Sequence, residues 1–186
     1  MDTNLHPKDR IAGNVAFRLD WNPSRSDSLH FSTDFDQGHS DVALAGFYSL
    51  EYPTMPVIGS ASPSRDAATL HWMRTWENRS QTEVQASYER ISCVDNAQAL
   101  RNTIAEIQVN HHVHLSSRHD LVAGAGYRFD DSITTFAMHL LDAFFQDEYG
   151  AVEDKLNVVA GLQVDQNSWS GFEVQPTFRV LWVRAT

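Results

Sequence analysis

Apolar and polar residues alternate along most of this chain, most clearly in its last third. From Leu156 the even positions Leu156, Val158, Ala160, Leu162 and Val164 are apolar, with Asn157, Gln163 and Asp165 between them. From Phe172 the pattern repeats, with Phe172, Val174, Phe178, Val180 and Trp182 against Glu173, Gln175, Thr177 and Arg179. A period of two gives a strand one apolar and one polar face. Applied throughout, the pattern predicts strands at 11–21, 28–36, 68–77, 82–91, 103–115, 121–129, 141–149, 156–166 and 172–183. The fold class expected is all-β: an antiparallel up-and-down meander of about nine long strands, part of a larger transmembrane β-barrel.

The connections sharpen this. Short turns such as Asn22–Asp27 and Ser116–Asp120 follow the first, third, fifth and seventh strands, and longer or irregular connections follow the even ones. The longest, Gln37–Asp66, carries Pro53, Pro56 and Pro63 and is read as a loop, with a short helix over its DVALAGFYSL segment. Ser92–Arg101 and Phe129–Leu140 are read as further loops. Membrane barrels have short turns at one end and long loops at the other, and strands of about 9–11 residues cross a bilayer. Trp21, Trp76, Tyr149 and Trp182 end four of the strands that run toward the short turns, as in an interfacial aromatic girdle. An odd number of strands does not close a single-chain bacterial barrel, so more strands are expected elsewhere. Pro176 cannot donate to a ladder and predicts a bulge in the last strand.

The alternative consistent with alternation alone is a soluble antiparallel β-sandwich or barrel ligand-binding module. A soluble module must bury the apolar faces that a barrel section presents outward.

Composition adds limits. A formal charge of -10 opposes nucleic-acid binding, which needs a basic face. The lone Cys93 excludes an intrachain disulfide. No apolar run is long enough for a transmembrane helix, and the N-terminal residues do not read as a secretory signal.

Candidate chemistry is sparse. His112 and His114, two apart, share a polar face at a spacing that can chelate zinc or copper, but no third ligand is evident from sequence, and lumen-facing histidines account for them without metal. No metal or cofactor is therefore expected. The Gly124–Gly126 pair has no third glycine or following helix, so it lets neighbouring groups approach and does not cradle a dinucleotide. Asp147 and Glu148 point to opposite faces, which disfavours a carboxylate pair. There is no G-x-S-x-G elbow, so no enzyme is expected; a small outer-membrane enzyme barrel would need a Ser/His pair at the rim.

Three phrases, FRLDWNPSRSDSL (17–29), RHDLVAGAGYRF (118–129) and FFQDEYGAVEDKLNVVAGLQVDQNSWSGFEVQPTFRVLW (144–182), resemble the β-barrel domain of TonB-dependent outer-membrane receptors, especially those for ferric siderophores. The most specific parts are FFQDE at Phe144–Glu148 and GFEVQP at Gly171–Pro176. The resemblance implies a 22-stranded barrel around an N-terminal plug. It implies uptake of scarce ligands, such as iron–siderophore complexes or cobalamin, with energy from an inner-membrane partner. Residues 11–186 would be a partial barrel after a polar lead at 1–10, without plug, TonB-box segment, signal peptide or C-terminal strand. Its partners would be outer-membrane lipid, the plug and remaining strands, and the TonB complex only in an intact receptor. Localisation would be the outer membrane for the intact family member. The resemblance places Glu173, Gln175, Thr177 and Arg179 toward the lumen or plug. Phe47, Tyr48 and Tyr52 in the long loop are candidates to face a ligand.

Overall fold

The computed structural model describes residues 10–44, 57–95, 99–133, 136–153 and 155–182. Nine strands form one sheet: β1 (Arg10–Trp21), β2 (Asp27–Leu44), β3 (Val57–Thr75), β4 (Gln81–Asp95), β5 (Ala99–His114), β6 (His119–Ser132), β7 (Met138–Val152), β8 (Leu156–Asn167) and β9 (Gly171–Trp182). Each strand pairs antiparallel with its sequence neighbours only, in the order β1 to β9, so the meander is up-and-down and β1 and β9 are its open edges.

Register partners in an antiparallel ladder project to the same face, so the pairing carries one face across all nine strands. Phe31 of β2 meets Leu19 of β1 and Leu70 of β3; Leu70 meets Ala86, Ala86 meets Ile107, and Ile107 meets Tyr127. Beyond these, Tyr127 meets Leu141, Ala143 meets Val164, and Val164 meets Val174. The opposite face carries Asp20, His30, His71, Gln85, Gln108 and their neighbours. Alternation in nine separate segments thus produces one continuous apolar face because every register is in phase.

None of the described residues covers that face. Among the described residues only Ser80, Gly126 and Val159 are buried. Phe178 and Trp182 are 70% and 75% exposed, and Ile11 is 72% exposed. Burying one such side chain is worth about 1.5–3 kcal/mol. A β-sandwich would place a second layer here, and the described residues form a single layer.

Several connections differ from the sequence expectation. Gln37–Asp66 is not a loop along its length: Gln37 pairs with Ser64, and Ser40–Leu44 pair with Ala61–Val57. The stretch Asp41–Leu44 is strand, not helix, and 45–56 lies outside the described residues. Ser92–Asp95, Ala99–Arg101, Phe129–Ser132 and Met138–Leu140 are likewise strand, so the strands run 12–19 residues. The reason is common to all. In these segments the sequence does not alternate, as in Val42–Ala43–Leu44 and Val57–Ile58, while the backbone ladder continues. The connections after β4 (96–98) and β8 (168–170) are as short as those at the other end. The asymmetry between the ends lies in how far β2 and β3 extend.

The bulge expected at Pro176 is absent. Pro176 pairs with Leu162 in unbroken register, so its missing N–H does not break the β8–β9 ladder. The register instead shifts between Gly150 and Val152.

Candidate functional site

The structure offers two working surfaces, one on each face of the sheet. The apolar one is best described from the register. Trp21, Leu29, Trp72, Val84, Val109, Ala125, Ala143, Val164 and Val174 are successive cross-strand partners. Relative to this row, Tyr149 lies six residues nearer the short turns than Ala143, six strand steps from β1. Trp182 lies eight residues beyond Val174, eight steps from β1. Trp76 lies four beyond Trp72, two steps from β1. A line sloping by one residue per strand therefore joins Trp21, Tyr149 and Trp182 and passes within two residues of Trp76. At about 3.3 Å per residue and about 4.8 Å between strands, that slope corresponds to strands tilted by about 35°.

The same slope levels the polar boundaries of the face. At the short-turn side Asp27, Arg74, Thr82, His111, His119 and Asp147 all fall within about two residues of the line. On the far side Gln37, Asp66, Arg90, Thr103, Asp131, His139 and Gln166 fall roughly eight to eleven residues from it. Between these limits lies a level band about 25 Å high. Thr33 is the one Ser, Thr or charged side chain inside it among the described residues, and its Oγ1 donates to the Ala67 carbonyl at 2.8 Å.

The short-turn boundary is knitted by amphipathic side chains. Trp76 Nε1 donates to Thr82 Oγ1 at 2.8 Å, and Thr82 Oγ1 lies 2.9 Å from His111 Nδ1. The Arg74 guanidinium sits 4.5 Å from the Trp76 ring centroid and 3.6 Å from Asp27. The His119 ring lies tilted against Tyr149, with centroids 4.8 Å apart, and hydrogen-bonds Asp147 at 2.8 Å. Trp21 and Trp182 end β1 and β9 on the same face. A second aromatic row, not evident from sequence, stands at the far boundary: Phe35, Tyr88 and Tyr127 each lie about seven residues from the line. The alternation already put all three on this face, but their common depth appears only once the registers are known.

The other face is a set of polar ladders. Asn14 donates to Asp36; Arg65 lies 3.6 Å from Asp36 and 2.5 Å from Glu89. Asp20 holds Arg18 at 2.8 Å and His30 at 2.5 Å, His30 stacks on His71, and His71 meets Glu83 at 2.5 Å. Glu173, Gln175, Thr177 and Arg179 belong to this face, opposite Asp165, Gln163, Gly161 and Val159, and Gln175 Nε2 donates to Asp165 at 3.1 Å. Phe47, Tyr48 and Tyr52 lie outside the described residues.

The histidine cluster divides between the faces. His111 joins the apolar-face boundary, whereas His112 and His114 lie on the polar face with Asp120, which pairs with His114 across the turn. Asp120 is the third donor that sequence reasoning missed. The sequence places Asp120 inside the turn read at Ser116–Asp120; the actual turn is tighter, with Leu115 N–H donating to the His119 carbonyl, and this brings Asp120 opposite His114.

No protein-family model matches the sequence, and no curated protein matches it. Solved structures do share the fold. The siderophore receptor PirA from Pseudomonas aeruginosa superposes with a TM-score of 0.70 at 11% identity, over 95% of this chain and 31% of that one. PirA from Acinetobacter baumannii gives 0.69 at 14% identity, over 94% of this chain and 31% of that one. The chain therefore spans about a third of the length of these receptors, and its nine-stranded meander has the fold of a section of an outer-membrane barrel.

Proposed function

We propose that this chain is a wall section of an outer-membrane receptor barrel that takes up scarce ligands such as iron–siderophore complexes. The apolar band lies in lipid and the polar face lines the barrel interior. The level band carries this reading. Its height of about 25 Å, its strand tilt of about 35° and its two aromatic rows correspond to the dimensions and girdles of transmembrane barrels. A soluble sheet has no reason to keep its polar boundaries level at a slope of one residue per strand.

Lipid-exposed strand edges leave backbone groups unsatisfied at several kcal/mol each. The wall is accordingly completed by further strands next to β1 and β9. In the intact receptor, Glu173, Gln175, Thr177 and Arg179 face the lumen or a plug, Trp21, Trp76, Tyr149 and Trp182 sit at the periplasmic interface, and Phe47, Tyr48 and Tyr52 meet ligand at the opposite end. Dependence on a TonB-type energy supply belongs to that intact assembly. The chain acts as transporter wall and not as an enzyme.

The similarity to PirA supports the siderophore class, and uptake tests it. Deleting the gene in its host should lower accumulation of radiolabelled ferric siderophore under iron limitation, and restoring it should recover uptake. Unchanged uptake of every ferric siderophore the host uses would remove the transport reading.

A further inference from the structure

Three donor atoms converge on the polar face where β5 and β6 approach their shared turn. His112 Nε2 lies 2.5 Å and His114 Nδ1 2.8 Å from the same oxygen, Asp120 Oδ1. The imidazole centroids are 4.6 Å apart with planes at 69°, and the three donor atoms lie within 4.8 Å of one another. The backbone dictates this arrangement: alternation puts His112 and His114 on one face, and the hairpin register sets Asp120 opposite His114. Hydrogen bonding alone requires both rings to present N–H groups to one carboxylate oxygen. A divalent ion replaces those two protons with a single centre.

Two imidazoles and a carboxylate are a donor set suited to zinc or copper. In a tetrahedral site with bonds of about 2.0–2.1 Å, donors stand about 3.4 Å apart. The two histidine–carboxylate separations therefore widen by about 1 Å or less and the imidazole–imidazole donor separation, within 4.8 Å, closes by up to about 1.4 Å, which half-exposed side chains can accommodate. The local charge favours a cation as well. Glu148 of β7 stands directly across from Asp120 on the same face, held by Asn157 Nδ2 at 2.8 Å. Among the described residues no Lys or Arg forms an ion pair with either carboxylate.

We propose that His112, His114 and Asp120 form a three-residue binding site for a divalent transition ion, zinc or copper, with the remaining coordination position open to water. The ion ties the turn end of β5 to β6. The site follows from the hairpin register, so it stands independently of the membrane and uptake reading.

Calorimetric titration of the full chain in detergent micelles with zinc chloride, and separately with copper sulfate, tests it. The expected result is one ion per chain. His112→Gln, His114→Gln or Asp120→Asn should weaken binding by at least about tenfold. His111→Gln, on the other face, should leave it unchanged. Because a variant can fail to fold, the unmodified copper-loaded chain is also read by electron paramagnetic resonance, where coupling to two imidazole nitrogens is expected. No binding overturns the proposal, as does affinity that survives the paired His112→Gln, His114→Gln change or is equal in the urea-unfolded chain. A copper spectrum without two-nitrogen coupling overturns it too.

Discussion

Phe144 of β7 stands directly across from Gly124 of β6, and its ring fills the space that a side chain at position 124 would need. A Cβ built on Gly124 lies 2.5 Å from Phe144 Cε1, and it also runs into Asn110 Oδ1. Phe144 is an aromatic ring on the predominantly polar face, and the glycine beneath gives it a seat in the sheet. Overpacking of this kind costs about 1–3 kcal/mol. Gly124→Ala is therefore expected to lower the unfolding free energy of the chain in detergent, measured by urea titration, by that amount. Adding Phe144→Ala should return part of the loss, because residues in contact are coupled. Full additivity of the two changes would show that the ring does not occupy the glycine's space.

Leu162 and Gln163 are adjacent, and alternation sends them to opposite faces near the middle of the band. Arginine on the lipid face of a barrel at the midplane destabilises it by about 2–4 kcal/mol. Leu162→Arg should therefore reduce folding stability in lipid vesicles by roughly that much, whereas Gln163→Arg should change it by less than about 1 kcal/mol. Equal effects, measured by denaturant titration in vesicles, would mean the two faces meet the same surroundings.

Arg65 bridges Asp36 and Glu89 across three strands, but its side chain is nearly half exposed. Exposed pairs contribute about 0–1 kcal/mol and are screened by salt. Arg65→Met is expected to cost less than about 1 kcal/mol at low ionic strength, with the difference vanishing near 1 M salt. A larger cost that persists in salt would place this ladder in a drier setting than an open polar face.

The sequence was informative where side chains meet two different environments and uninformative where they do not. Leu156–Val164 and Phe172–Trp182 could be assigned to a face residue by residue, because one side of each strand is apolar. Ser40–Leu44 and Val57–Ala61 could not, since that part of the ladder extends beyond the apolar band and alternation no longer marks the strand. The common depth of Phe35, Tyr88 and Tyr127 was hidden for another reason: depth depends on the accumulated stagger of several registers, and no single segment contains it. Pro176 misled because its missing donor matters only where a neighbouring strand needs it. Asp120 is missed because the turn reads one residue pair too long, at Ser116–Asp120, whereas Leu115 already pairs with His119 and sets Asp120 opposite His114.

The most direct measurement is solvent access along β8. With Cys93→Ser as background, single cysteines at Leu162 and at Gln163 are spin-labelled in the chain reconstituted into lipid vesicles. Power-saturation resonance then compares collisions with oxygen, which concentrates in lipid, against collisions with a water-soluble nickel chelate. The label at 162 should favour oxygen strongly and the label at 163 the chelate, with the sign of the preference alternating again at Val164 and Asp165. Equal chelate access at 162 and 163 would contradict the assignment of the apolar band to lipid.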